Sequence, residues 1–176
     1  MRFRPLKVAG AYAVEVETLE DERGWFGRLF SVDEFVRVGM DPHVQECSLS
    51  FNRKAGTLRG LHLQVAPHQE SKLVLCVSGA VYDVLVDLRP GSSTHKVWDA
   101  VELTGSEPLA VFVPPGVAHG YLTTADNSTV YYQISAPYDP TSASGARWDD
   151  PAFGISWPSR PVVISTRDSS FGNYTG

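Results

Sequence analysis

The sequence predicts an all-β barrel or sandwich, and three observations carry that expectation. Short runs rich in β-branched and aromatic residues recur along the chain, turn signals separate them at close intervals, and one segment alone has helical character. The turn signals come from 15 Gly and 12 Pro spread over 176 residues. Leu73 to Val77 is the first clear strand, and Ser78-Gly79 turns the chain into Val81 to Leu88, which Pro90-Gly91-Ser92-Ser93 ends. Val97 to Leu103, Leu109 to Val113, Tyr121 to Thr124 and Thr129 to Ser135 follow, with Pro114-Pro115-Gly116 between the middle two. Val32 to Val38 reads as the helix: Ser31 stands at the N-cap, Glu34 completes a capping box, and Gly39 is where the helix stops. The last forty or so residues, rich in Pro, Ser and Trp, read as irregular wrapping with short helical turns, and SFGNYTG reads as a loose tail.

Length and composition fit one domain of ordinary size, residues 1–176, with 43% hydrophobic residues to build a core. A formal net charge of −5 argues against a nucleic-acid partner, because no basic excess exists to neutralise a phosphate backbone. A small phosphorylated ligand needs only a few local Arg and Lys. The most apolar stretch, Leu73 to Leu88, is broken by Ser78, Gly79, Asp83 and Asp87, so no membrane span is expected. MRFRPLKVAG is not followed by an apolar signal segment, which points to the cytoplasm, and Cys47 and Cys76 are expected to be free thiols in strand-like segments, acting as small buried hydrophobes.

Alternation sorts the Val81 to Leu88 strand into two faces. Tyr82, Val84, Val86 and Leu88 share one; Asp83, Leu85 and Asp87 share the other. Two carboxylates on one face of an interior-looking strand must line a polar cavity or meet cations, since unpaired buried charge is costly. The chemistry-bearing residues concentrate in Thr57 to Gln64, in Pro67 to Lys72 and in Pro114 to Gly120. A Pro-Pro-Gly turn delivering a His, as at His119, recurs in double-stranded β-helix proteins, where it helps hold a divalent metal. Here Gln64 stands where a second His is needed, and the nearby Lys72 ammonium would repel a cation. No metal and no cofactor are expected. His43 and His95 read as surface polar residues; His62 and His119 read as functional.

In order along nearly the whole chain, Asp21-Glu22-Arg23-Gly24-Trp25-Phe26, Leu58-Arg59-Gly60-Leu61-His62, Lys72-Leu73-Val74, Gly79 to Arg89, Pro114 to Gly120, Tyr132, Tyr138, Trp148 to Pro151, Ile155 to Pro158 and Ser165 to Asp168 resemble the dTDP-4-dehydrorhamnose 3,5-epimerase family. The resemblance implies a cupin jelly roll, the double-stranded β-helix, with short helices near the two ends. It implies a homodimer in which an N-terminal strand joins the partner's sheet. It also implies a nucleoside-diphosphate 4-keto-6-deoxy sugar as substrate, inverted at carbon 3, carbon 5 or both through an enolate. His62 is similar to the family's base, Asp168 to the acid that orients it, Lys72 to the group facing the enolate oxygen and Tyr132 to the opposite-face acid. His119 and Asp83 resemble polar residues near the keto group. Arg23, Phe26, Arg28, Gln45, Arg59 and Tyr138 fall at substrate-binding positions. Strict alternation puts Arg59 on the face opposite His62, and a bulge at Gly60 would re-aim it.

Three departures bear on substrate identity. Arg28 stands where a Glu is familiar. Gln133 and Leu75 replace a Lys and an Arg. The segment from Gln45 to Arg59 is longer, with Cys47 or Ser48 where an asparagine is expected. Rival readings are a mono-epimerase or keto-sugar isomerase on the same scaffold, a metal-dependent cupin enzyme, and a non-catalytic sugar-binding cupin.

Overall fold

A computed structural model describes residues 1–176. The chain opens with β1 (Arg2–Pro5) and β2 (Tyr12–Glu15), makes a hairpin of β3 (Thr18–Asp21) and β4 (Gly24–Gly27), and enters α1 (Val32–Arg37). The barrel strands follow: β5 (Glu46–Asn52), β6 (Thr57–Gln64), β7 (Lys72–Ser78), β8 (Ala80–Asp87), β9 (Trp98–Thr104), β10 (Leu109–Val113), β11 (Val117–Thr123) and β12 (Ser128–Ile134). Two short strands, β13 (Ala143–Gly145) and β14 (Val163–Ile164), and a last turn of helix, α2 (Thr166–Ser169), complete it. One sheet has the order β1-β2-β10-β7-β12-β5; the other runs β13-β6-β11-β8-β9, with β14 parallel to β6. The two sheets face each other across a common core, the expected jelly roll.

Val74, Cys76, Val111, Val113 and Val130 from the first sheet pack against Val81, Leu85, Val117 and Tyr121 from the second. Outside the second sheet, Leu61, Val84, Val86 and Ala118 meet Trp157, Ile155 and Tyr174 of the C-terminal segment. Outside the first, α1 lays Phe35 on Phe112, Leu73 and Val14. The predicted alternation of Tyr82 to Leu88 therefore separates an outer apolar face from an inner one carrying Asp83 and Asp87, both fully buried. Asp83 meets His119, and Asp87 meets Arg89, Ser92 and Thr94.

Three local expectations change. Ser31 has the extended N-cap backbone but makes no side-chain cap, and Glu34, the other half of the expected capping box, accepts from the terminal ammonium of Met1 at 3.3 Å. The helix does end at Gly39, at φ +79°, where the Gly39 and Met40 amides reach Val36 and Phe35. The tail is pinned through Phe171 and Tyr174: Phe171 packs under Gly145, the Tyr174 amide donates to Asp150, and the Tyr174 ring lies tilted against Phe153. Cys76 is buried, but Cys47 is exposed, since its edge strand β5 turns that face outward. No helix is long and apolar enough to cross a membrane.

Candidate active site

The site forms at the mouth of the barrel, where β6 carries a one-residue irregularity. His62 pairs with His119 and Arg59 pairs with Tyr121, so Gly60 and Leu61 together oppose the single residue Gly120. Residues directly opposite on neighbouring strands point the same way. Arg59 and His62 therefore share the inner face, which strict alternation forbids and a bulge allows. The approach is close: a Cβ on Gly60 would come within 2.6 Å of the Gly120 Cα. Gly60 also has φ +130°, a backbone that favours glycine.

His62 and Asp168 lie 106 residues apart in sequence, yet His62 Nε2 and Asp168 Oδ1 are 2.6 Å apart. Pairing of β14 with β6 brings α2 to the site, and Ser165 caps that turn by accepting from the Asp168 amide at 3.0 Å. The second carboxylate oxygen of Asp168 accepts from the Gly60 amide. Burial would raise the Asp168 carboxyl, but the hydrogen bond and charge of His62, the Gly60 amide and Ser165 outweigh it and hold the group below its ordinary value. An ionised Asp168 fixes the neutral imidazole with its proton on Nε2, which leaves Nδ1 free to accept one.

Lys72, on β7 of the facing sheet, lies 3.0 Å from Glu70 and 3.5 Å from the His62 carbonyl oxygen. Tyr132 is one pleat deeper, its ring edge-on to His119 at 6.1 Å between centroids. Burial, then the neighbouring Tyr121 and Asp83, push its phenol well above the ordinary value, against a smaller opposing pull from Arg59. It stays protonated at neutral pH. His119 and Asp83 form a second imidazole–carboxylate pair, at 2.7 Å, beneath the first.

Two cavities flank His62. One, about 200 Å³, is lined by His62, Lys72, Glu46, Glu70 and Tyr138 among others. The other, about 360 Å³, is lined by Arg59, His62, Arg167 and Asp168 among others. Gln64 belongs to the frame: its amide donates to the His68 and Pro137 carbonyls and accepts from the Asp139 amide. No group of three or more His, Cys, Asp and Glu side chains is arranged to hold a metal ion.

The structure gathers His62, Asp168, Lys72, Tyr132, His119, Asp83, Arg59 and Tyr138 at this mouth. It does not bring the others to it within one chain. Arg23, Phe26 and Arg28 stand exposed on or just after the β3–β4 hairpin, with Arg23 paired to Asp21. Gln45 is exposed beside β5, while its neighbour Glu46 points inward. Leu75 and Gln133 face outward and line neither cavity. Sequence reasoning missed Glu46, Glu70, Tyr121 and Arg167. Arg167 was legible as a cation beside Asp168; the other three emerge only when the barrel closes.

A jelly-roll barrel with an imidazole–carboxylate pair at its mouth, an ammonium beside it and a protonated phenol on the facing sheet defines a cupin-type proton-transfer protein. Comparison with known proteins makes the assignment narrower. The sequence profile of the dTDP-4-dehydrorhamnose 3,5-epimerase family matches residues 5–175, and the chain belongs to that family. It is 37% identical over 171 residues to the dTDP-4-dehydrorhamnose 3,5-epimerase of Sinorhizobium fredii, covering 97% of this chain and 88% of that one. It is 36% identical over 169 residues to the dTDP-4-dehydrorhamnose 3-epimerase of Streptomyces niveus, covering 96% and 81%. The crystal structure of dTDP-4-dehydrorhamnose 3,5-epimerase from Elizabethkingia anophelis superposes with a TM-score of 0.95 at 30% identity, covering 99% and 96%.

Proposed function

We propose that residues 1–176 act as one cupin-type epimerase domain on a dTDP-linked 4-keto-6-deoxy sugar in deoxysugar biosynthesis, inverting carbon 3, carbon 5 or both. The ketone acidifies the neighbouring C–H bonds. His62 removes a proton through Nδ1, and Asp168 stabilises the imidazolium that results. Lys72 meets the enolate oxygen as a fixed positive charge. Tyr132 returns a proton to the opposite face of the ring. Arg59 and Arg167 suit the diphosphate, since a guanidinium meets phosphate oxygens at two points. The observation that carries this reading is the 2.6 Å His62–Asp168 contact at a mouth that also holds Lys72 and a protonated Tyr132.

Its test is His62→Ala, assayed for turnover and for dTDP binding by calorimetry. Turnover is expected to vanish while binding persists, because a proton acceptor is lost and no phosphate contact is. Near-normal turnover would sink the assignment. The similarity to a 3-epimerase at almost the same identity as to a 3,5-epimerase supports a second reading, inversion at carbon 3 alone. Deuterium incorporation from D₂O, followed separately at carbons 3 and 5, separates the two.

The working unit on this reading is a homodimer in the cytoplasm. Leu49 is 70% exposed on β5, and Phe51 of the same strand and Val77 of β7 are exposed apolar residues on the same sheet. Covering that face with a second copy would leave the hairpin residues Arg23, Phe26 and Arg28 free to reach the partner's site. The unpaired cysteines accord with a reducing compartment.

A further inference from the structure

We infer that Glu70 is a positioning residue, supplying the counter-charge and the anchor that fix the Lys72 ammonium in the reaction cavity. The inference rests on the assignment of Lys72 as the group that meets the enolate oxygen. The Lys72 side chain is 12% exposed, and an ammonium drawn out of water needs a counter-charge. Glu70, in the loop between β6 and β7, is the one carboxylate in ion-pair range of it, at 3.0 Å, and its own side chain is 5% exposed. Glu46 from β5, His62 from β6 and Arg167 from α2 line the same cavity, and none of them is paired with Lys72.

Both members of the pair are tied to the strand that carries the base. Glu70 Oε1 accepts from the Gln64 amide at 3.1 Å as well as from Lys72. The Lys72 ammonium lies 3.5 Å from the His62 carbonyl oxygen. The ammonium is therefore held from two points of the same backbone that places the imidazole. The far end of the loop is fixed too: the Ser71 amide donates to Ser135 Oγ at 2.8 Å, and the Ser135 amide donates to the Ser71 carbonyl at 3.1 Å. With N–H bonds directed at Glu70 and at His62, Lys72 keeps a third for a substrate oxygen.

The second oxygen of Glu70 shows that the charge is not there for the fold. Oε2 is buried and has no hydrogen-bond partner. A group needed only to satisfy the Gln64 amide would not be a carboxylate, since a neutral amide oxygen accepts as well and costs less to bury. Lys72 alone accounts for a buried charge at this position. The pair still favours the reaction: an oxyanion on the free N–H of the ammonium lies nearer the positive member than the negative one.

Glu70→Gln in the full chain tests this. The amide oxygen can still accept from Gln64 and Lys72, and the NH₂ takes the place of Oε2, where no donor stands, so shape is kept and charge is lost. With a dTDP-4-keto-6-deoxy sugar in D₂O, NMR reads two rates: deuterium wash-in beside the ketone and inversion. Both pass through the enolate, so both should fall together, roughly 10- to 100-fold, less than loss of an oxyanion donor itself. Affinity for dTDP by calorimetry should stay within about 3-fold, with unchanged stoichiometry, because no phosphate contact is touched. Wash-in within about 3-fold of the parent protein overturns the inference, and so does a loss of dTDP sites in step with the rates, which marks a merely structural role. Lys72→Met, alone and combined with Glu70→Gln, gives a second measurement that stands even if the single Gln variant does not fold. If Glu70 acts through Lys72, adding Glu70→Gln to Lys72→Met lowers wash-in no further; an additional fall of about 10-fold would mean that Glu70 acts by itself, and overturns the inference. Parent-like wash-in in Lys72→Met would instead show the oxyanion assignment to be wrong, a failure distinct from that of the Glu70 anchor.

Discussion

Replacing Asp168 by Asn keeps the shape of the site and changes one atom, so its effect can be worked from the hydrogen bonds. Asp168 has two acceptor oxygens, one on His62 Nε2 at 2.6 Å and one on the Gly60 amide at 3.2 Å. An asparagine can satisfy only one of these donors. If its oxygen stays on Gly60, its NH₂ faces the imidazole, draws the lone pair of Nε2 and moves the ring proton to Nδ1, where it blocks the base. If the amide flips, the working tautomer returns but the buried Gly60 N–H is left facing another donor. That mismatch costs about 1–3 kcal/mol, which reduces the working tautomer roughly 5- to 150-fold. The imidazolium also loses its charged partner, worth about 1 kcal/mol more than a neutral one, or roughly another 5-fold. The expected loss of inversion rate is therefore roughly 30- to 700-fold, with dTDP affinity unchanged by calorimetry. Inversion within about 3-fold of the parent protein would refute the argument, because the carboxylate would then not be setting the tautomer.

Gly120→Ala should cost about 1–3 kcal/mol by urea unfolding, because the new Cβ would lie 2.7 Å from the Arg59 carbonyl oxygen and 3.0 Å from the Gly60 Cα, and backbone cannot step aside cheaply. Asp87→Asn should destabilise the fold by about 3 kcal/mol at pH 7, since it strips a buried charge from Arg89. Burial alone would raise that carboxyl, yet Arg89, Ser92 and Thr94 hold it well below 3.8; its stabilisation is thus complete above about pH 4 and lost as the pH falls further. The Asn variant should show a flatter acid limb when unfolding free energy is followed from pH 5 to pH 2. Leu49→Asp combined with Phe51→Asp should turn a dimer into a monomer by analytical ultracentrifugation, and an unchanged sedimentation coefficient would locate the contact elsewhere.

The strands β7 to β10 and β12 were legible because each buries a β-branched face and ends at a turn residue, whereas β11 was read only from Tyr121 onward and begins at Val117. β5 was not, and its pattern explains why. Its apolar residues Cys47, Leu49 and Phe51 face outward, while Glu46, Ser48, Ser50 and Asn52 face the barrel interior. A rule that turns apolar residues inward reads such a strand backwards. Glu70 and Tyr121 escaped for a related reason, since their partners Lys72, Asn52 and Ser50 meet them only through side chains that the closed barrel brings together. The His62–Asp168 contact was legible through resemblance and not through spacing, because a two-residue parallel strand, β14, is what carries Asp168 across the chain. The re-aiming of Arg59 was legible as a need, and the register shift at Gly60 meets it.

That shift is an integer. Side-chain parity along a strand has two values and nothing between them, so the shared orientation of Arg59 and His62 cannot be tuned by degrees. Substitutions on β6 can weaken either group but cannot turn one outward; deleting a single residue between them would invert the whole downstream half of the strand, exporting the imidazole to solvent and importing Leu61 or Leu63 in its place. Insertions and deletions in this stretch are thus far harsher than any point change.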